Sequence, residues 1–311
     1  MKIGIMSAGF AKWSLEKLVD WASSTGFGSL EVCCWPAGEE KDRKYGGVVH
    51  IDVDTLTPER VDGIKSLLER KGIELTALGY YPNPMHPDTE HRKHVIGHLK
   101  KVILGAEKLG VGLVGTLVGR NFQLTGRDWQ KAIDDNLELF KRVWTPIVQF
   151  AADHNVKIAT EHCPMLWHDT WADGDNLPYS PRIMHRMFEI LPSDHFGIMY
   201  DPSHFVWQMI DYIRFIYDFK DRIFGVHAQD MAIDYEKYYE DGILGCSIRW
   251  QQRRLPGQGL VDWQKLIQAL YNIGYDKSLN IEHEDPNWEG TEDLLKRGYV
   301  LAKKTLEVYA G

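Results

Sequence analysis

Four short segments of the chain end in residues that can bind a cation or move a proton. Phe196-Gly-Ile-Met-Tyr-Asp-Pro-Ser-His204 reads as an apolar strand over 197–200 that stops at Asp201, because Pro202 has no N–H with which to continue a central ladder. Asp201 and His204 therefore leave the sheet together at its carboxyl end. Lys157-Ile-Ala-Thr-Glu161-His162-Cys-Pro164, Ile223-Phe-Gly-Val-His227-Ala-Gln-Asp230 and Leu279-Asn-Ile-Glu282-His283-Glu284-Asp285-Pro286 repeat the grammar, with room for a helix between each pair. Glu161, Asp201, His227 and Glu282, one from each segment, offer three carboxylates and one imidazole. That donor set suits one hard or borderline divalent ion. Being rich in oxygen and free of thiolate, it leans toward Mn²⁺, with Co²⁺, Mg²⁺ or Zn²⁺ as alternatives. A single strand-end acid more often caps a helix or pairs with a cation, and a single His is more often structural. The coincidence of the four carries the metal reading.

A divalent ion beside a hydroxy-carbonyl unit polarises the carbonyl and acidifies the adjacent C–H, and a carboxylate can then take the proton. Glu161 and Glu282 come from strands separated by two others, so they can face a sugar from opposite sides. If one removes the proton and the other returns it, the outcome is epimerisation. Delivery to the neighbouring carbon is aldose–ketose isomerisation, and loss of a group β to the carbonyl makes the enzyme a lyase. Glu284 competes with Glu282, because side chains two apart share a strand face. The two differ in depth by about 6.6 Å; Glu282 is expected as the ligand, and Glu284 as support paired with a basic residue. His162 and His283 have the parity that faces away from the centre, and they and His168 are expected to pack or to hydrogen-bond in support.

The elements that must hold these residues alternate along the chain. Strands are expected at 2–7, 29–35, 74–79, 112–118 and at the four segments above. Helices are expected at 14–24, from Thr57-Pro58, at 90–109, at 128–154 (broken near Pro146), from Ser180-Pro181, and at 211–221, 262–273 and 292–309. Eight strands alternating with eight helices predict a parallel sheet covered by helices, closed as a single (β/α)₈ TIM barrel over residues 1–311. A long insertion, 231–259, falls between strand seven and helix seven, over the barrel mouth. An open doubly wound sheet is the rival, and no G-x-G-x-x-G follows the first strand to support it. The proline-laden run from Tyr80 to Asp88 is a candidate substrate wall. Tyr80, Tyr81, Trp167, Trp171 and Trp207 are candidates for stacking on a sugar, each weak alone because most aromatics are core.

Composition narrows the class. The chain is 44% hydrophobic and 26% charged, with a formal net charge of −8. The acidic balance argues against a nucleic-acid surface, which needs a basic face. Cys33, Cys34, Cys163 and Cys246 form no C-x-x-C pair and are expected as reduced core thiols. The opening Met1-Lys-Ile-Gly-Ile-Met6 lacks a signal-peptide core, and no run approaches a membrane span. A cytoplasmic enzyme without membrane or nucleic-acid partners is the expectation, assembled as a homo-oligomer.

Across nearly its whole length the chain resembles the xylose-isomerase-like barrel superfamily, the sugar phosphate isomerase/epimerase family. The most specific pieces are Glu161-His-Cys-Pro, Asp201-Pro-Ser-His204, His227-Ala-Gln-Asp230, Arg254-Leu-Pro-Gly-Gln-Gly259 with Asp262-Trp263, and Ile281-Glu-His-Glu-Asp-Pro286. The resemblance implies Glu161, Asp201, His227 and Glu282 as metal ligands, with the two glutamates as the acid/base pair. It also implies substrate contact by His204 and by an arginine ahead of Pro-Gly-x-Gly. Arg254 is assigned that role, with Arg253 as its alternative, and Asp230 and His162 complete the expected substrate-binding set. His162 stands where many relatives have asparagine, and as an extra base it would suit a lyase. The implied activity is metal-dependent sugar isomerisation or epimerisation on a ketose or keto-sugar. A lyase acting on a 3-keto-glycoside or inosose is the runner-up. The endonuclease IV branch is a remote rival, because it needs a basic groove and more histidine ligands. A sugar-binding subunit without chemistry is disfavoured by the intact ligand set. No clear phosphate cradle is present, so a non-phosphorylated sugar is expected.

Overall fold

Short, mostly apolar strands alternating with amphipathic helices set the architecture. The computed structural model describes residues 1–38, 44–166 and 174–310. Its strands are β1 (Lys2–Met6), β2 (Ser29–Cys33), β3 (Glu74–Gly79), β4 (Leu113–Leu117), β5 (Lys157–Glu161), β6 (Phe196–Tyr200), β7 (Ile223–Ala228), β8 (Asp230–Ile233), β9 (Gln251–Arg254) and β10 (Ser278–Ile281). Eight of them close a parallel barrel in the order β1-β10-β7-β6-β5-β4-β3-β2. The chain is thus a (β/α)₈ barrel. β8 and β9 stand apart as an antiparallel ribbon, with Met231 opposite Arg253 and Asp230 opposite Arg254. Helix Tyr235–Asp241 lies between them, so this ribbon is the ordered base of the excursion at 231–259.

Helix ends follow elementary capping. Ser14, Thr57 and Asp88 accept from the N–H of Lys17, Arg60 and His91, and Gly72 and Gly110 close their helices at positive φ, where glycine carries no Cβ penalty. The break expected near Pro146 does not occur, because helix Trp129–Asp153 runs through it. Immediately before it the Thr145 hydroxyl donates to the Lys141 carbonyl, one turn back, at 2.6 Å. The helix expected at 211–221 is shorter, Tyr212–Asp218, and is preceded by a single turn at Ser203–Val206.

Successive side chains alternate faces along a strand, so residues two apart share the barrel interior. A lower level contains Ala77, Ala159 and Met199, which cluster with Phe224 and pack against Leu113. Two residues further along the same strands lie Gly79, Glu161 and Asp201. The interior is therefore apolar below and acidic at its carboxyl end. All four cysteines are buried and none forms a disulfide with another, and burial pushes the Cys33 thiol up to about 12. Among the described residues no helix is long and apolar enough to cross a membrane.

Candidate active site

Each strand delivers its functional side chain within its last two residues or just beyond, where the ladder gives way to a loop. Glu161 ends β5, Asp201 follows β6, His227 is the penultimate residue of β7 and Glu282 follows β10. Their donor atoms form two triplets sharing Glu161: Glu161 with Asp201 and His204, and Glu161 with His227 and Glu282. Within each triplet the atoms lie within 4.8 Å of one another. Glu161 Oε1 is 3.4 Å from His204 Nε2 and 3.5 Å from His227 Nδ1, and Glu282 Oε2 is 3.5 Å from the same Nδ1. His204 Nε2 is also 3.4 Å from Asp201 Oδ2. Donors about 2.1 Å from a common ion sit roughly 3–4.3 Å apart, so this spacing suits a cation.

The electrostatics couple buried carboxyls to buried imidazoles. Burial, then the negative charge of Glu161, pushes Glu282 up to about 7. Burial likewise raises Asp201 to about 6, against the pull of His204. Burial also works to raise Glu161, yet hydrogen bonds and charge from His204 and His227 outweigh it and hold that carboxyl well below its ordinary value. Both imidazoles are raised well above theirs despite burial, by Cys163 and Asp201 beside His204 and by Glu31 and Glu161 beside His227. Asp201 Oδ2 and Glu282 Oε2 are buried and have no hydrogen-bond partner among the described residues.

Above the acids a cavity is lined by Trp35, Lys44, Tyr45, Tyr81, Cys163, Met165, Glu161, His204, His227, Arg253, Glu282 and Glu284. Three residues expected to touch substrate do not line it. The Asp230 carboxylate accepts four hydrogen bonds, from Met231 N, Val261 N, Gly257 N and Trp263 Nε1 at 2.8–3.0 Å. It thereby pins the chain after β9 back onto β8, and none of its capacity is directed at a ligand. Arg254 turns its guanidinium to the Gln252 side chain, the Arg253 carbonyl and, at 3.6 Å, Asp285. Its neighbour Arg253, on the other face of the ribbon, lines the cavity instead, with Nε 2.6 Å from Glu284 Oε2. His162 is fully buried, stacked on Phe205 at 4.0 Å, and its Nε2 accepts from Asp201 N at 3.1 Å. Burial, then the charge of His204, holds this imidazole well below its ordinary value. It steadies the Asp201 turn and does not reach the cavity.

His204 and Glu284 do line the cavity, and Gln229 Nε2 donates to Glu284 at 3.2 Å. Tyr80 packs among Trp35 and His98 in the core, whereas Tyr81 reaches the site. Trp167, His168 and Trp171 lie outside the described residues.

Sequence reasoning passed over Glu31 and Tyr81's part in holding it. Glu31 is fully buried in the middle of β2, 2.9 Å from His227 Nε2, and accepts from the Tyr81 hydroxyl. The signal was present: Glu31 stands between Leu30 and Val32 in a strand with no exposed face, and a carboxylate is almost never fully buried unless paired.

Among relatives, the uncharacterised protein MJ1311 of Methanocaldococcus jannaschii is 22% identical over 312 residues, covering 99% of this chain and 90% of that protein. The structure of the probable 3-DHS dehydratase AsbF of Bacillus anthracis superposes with a TM-score of 0.71 at 15% identity over 99% of both chains. The 3-keto-D-glucoside 4-epimerase YcjR of E. coli gives 0.68 at 15% identity, again over 99% of both. The IOLI protein with a bound zinc atom gives 0.68 at 17% identity over 99% of this chain and 96% of that one. At these identities the superpositions speak for the fold. The sequence pattern of the Xylose isomerase-like TIM barrel family matches residues 19–303, nearly the whole closed barrel, and the chain belongs to that family.

Proposed function

We propose that this protein is a divalent-cation-dependent enzyme that moves a proton at the carbon beside the carbonyl of a ketose or keto-sugar, giving epimerisation or isomerisation. One observation carries the reading: Glu161, Asp201, His204, His227 and Glu282 form two buried triplets that share Glu161, and in them Asp201 Oδ2 and Glu282 Oε2 accept no hydrogen bond and have only an imidazole at 3.4–3.5 Å. Buried acceptors are nearly always satisfied, and crowded buried carboxylates call for positive charge. In this reading the cation is held by Glu161, Asp201, His227 and Glu282, drawn from the two triplets that share Glu161. The oxygen-rich set favours Mn²⁺, and the zinc of the IOLI structure keeps Zn²⁺ as an alternative. When bound, such an ion polarises the substrate carbonyl and acidifies the adjacent C–H.

The chain's own groups supply the rest. Glu161 and Glu282 both line the cavity, from strands separated by β6 and β7, so they approach a substrate from different sides. In this reading one takes the proton and the other returns it, to the same carbon for epimerisation or to the neighbouring one for isomerisation. The remaining guanidinium N–H groups of Arg253, with its Nε held against Glu284, serve substrate oxygens in the role first assigned to Arg254. His204 stands at Glu161 and steadies its charge. Elimination of a group β to the carbonyl is the second reading, supported by the likeness to a probable dehydratase. The net charge of −8 speaks against a nucleic-acid substrate.

Incubating the Mn²⁺-loaded enzyme with ketoses and 3-keto-glycosides in D₂O tests the proposal. One solvent deuterium is expected at the carbon beside the carbonyl of an epimerised or isomerised product. Turnover without exchange across the panel, as in hydride transfer, contradicts proton abstraction, and an unsaturated product selects the lyase.

A further inference from the structure

The His227 ring has two working edges. Nδ1 faces Glu161 and Glu282 inside the donor cluster, each at 3.5 Å, while Nε2 lies 2.9 Å from Glu31 Oε2 and 3.4 Å from the Tyr81 hydroxyl. A neutral imidazole can offer a lone pair at Nδ1 only when its proton sits on Nε2. A fully buried carboxylate, itself without a donor, can meet Nε2 favourably only as the acceptor of that proton. Glu31 is held in turn by the Tyr81 hydroxyl, which donates to Oε1. The neighbouring strands make room for the pair. A Cβ at either Gly79 or Gly115 would come within 3.0 Å of Glu31 Oε1, and both would collide with the Tyr81 ring or hydroxyl. Two glycines at the same interior level, on β3 and β4, thus keep open the space that the carboxylate and phenol occupy.

We infer that Glu31 is a positioning residue: it fixes the tautomer and orientation of His227 and strengthens the hold of that imidazole on a divalent cation, with Tyr81 anchoring Glu31. The inference rests on the cation reading above and adds a residue from β2, on the far side of β1 and β10 from β7. Carboxylates that accept from a ligating imidazole are generally worth about 10- to 100-fold in metal affinity.

Calorimetric titration of the chelator-treated full chain with Co²⁺ alone separates the two readings. Wild type is expected to bind one Co²⁺, Glu31→Gln to bind it about 10-fold or more weakly with an unchanged circular dichroism spectrum, and Tyr81→Phe to lie between. A merely structural Glu31 would lower thermal stability and leave the Co²⁺ affinity alone. Glu31→Gln binding within about twofold of wild type overturns the inference while the cation reading stands. Wild type that binds no Co²⁺ overturns both. Should Glu31→Gln fail to fold, histidine ¹⁵N shifts of the Zn²⁺-loaded wild-type chain decide: a proton on Nε2 of His227 and none on Nδ1 is expected, and a proton on Nδ1 contradicts the assignment.

Discussion

The two ends of this barrel are built from the same strands, two or three residues apart, and could hardly be less alike. At the amino end, polar groups are partnered. Ser29 Oγ donates to Asn280 Oδ1, and Asn280 Nδ2 donates to Thr76 Oγ1. Lys277 Nζ donates to the Phe224 carbonyl, and Lys157 sits over the Phe224 ring at 4.5 Å. Ala77, Ala159, Met199 and Phe224 fill the space between. The outermost pair, Lys2–Glu74 at 2.7 Å, is half exposed on both sides, and pairs of that kind contribute little. At the carboxyl end Glu161, Asp201 and Glu282 stand two residues on from Ala159, Met199 and Asn280, and His227 three on from Phe224, with like charges crowded together and two buried carboxylate oxygens that accept no hydrogen bond. One end is arranged for stability. The other keeps buried carboxyls crowded together, and such conflict concentrates where chemistry is done.

Substitutions at the two levels should therefore fail in different ways. Glu161→Gln or Glu282→Gln is expected to lower turnover by about 100- to 10,000-fold while the chain stays folded; near-full activity in either variant removes it from the acid/base pair. Phe224→Ala is expected to do the reverse. It should cost about 3–5 kcal/mol of stability in a denaturant titration, by opening a void in the lower level, and leave Co²⁺ affinity within about twofold. A large loss of affinity there would mean that the two levels are not independent.

A smaller effect separates the levels by pH. Asp201 at about 6 and Glu282 at about 7 are both raised above their ordinary carboxylate values, so folding favours their protonated forms. Their contribution to stability is complete below about pH 4 and is lost as pH climbs through 6 and 7. His204 and His227, raised as well, run in the same direction. The Tm of the chelator-treated protein is expected to fall by a few degrees between about pH 5 and pH 8. Added Mn²⁺ should restore it most at the alkaline end, where the carboxylates are already deprotonated. A Tm gap between the two forms that narrows with rising pH would contradict this account of the carboxyl end.

The contrast also explains what could be read from the sequence. Asp201 was legible because Asp-Pro ends a strand by local chemistry, and Glu161, His227 and Glu282 because each ends an apolar run of the right length. The barrel followed from the alternation of elements. Glu31 was not legible in the same way: its partner His227 is 196 residues away, and the two meet only once the sheet has closed. The choice between Arg253 and Arg254 turns on ribbon parity, since adjacent residues face opposite sides, and the register of β8 on β9 is a tertiary fact. Asp230 looked available because three of its four donors arrive from the segment 257–263, whose return path the sequence does not state. For His162, strand parity pointed away from the mouth and the resemblance pointed toward it. The structure places it where parity does, behind Asp201.

The whole account depends on one cation being held where β5, β6, β7 and β10 end. Anomalous diffraction from a crystal of the wild-type chain equilibrated with Mn²⁺ measures this directly. A single strong peak among Glu161, Asp201, His227 and Glu282, with His227 Nδ1 as the nitrogen donor, is the predicted result. A Mn²⁺-saturated crystal with no peak there, or with its peak elsewhere on the molecule, would contradict it.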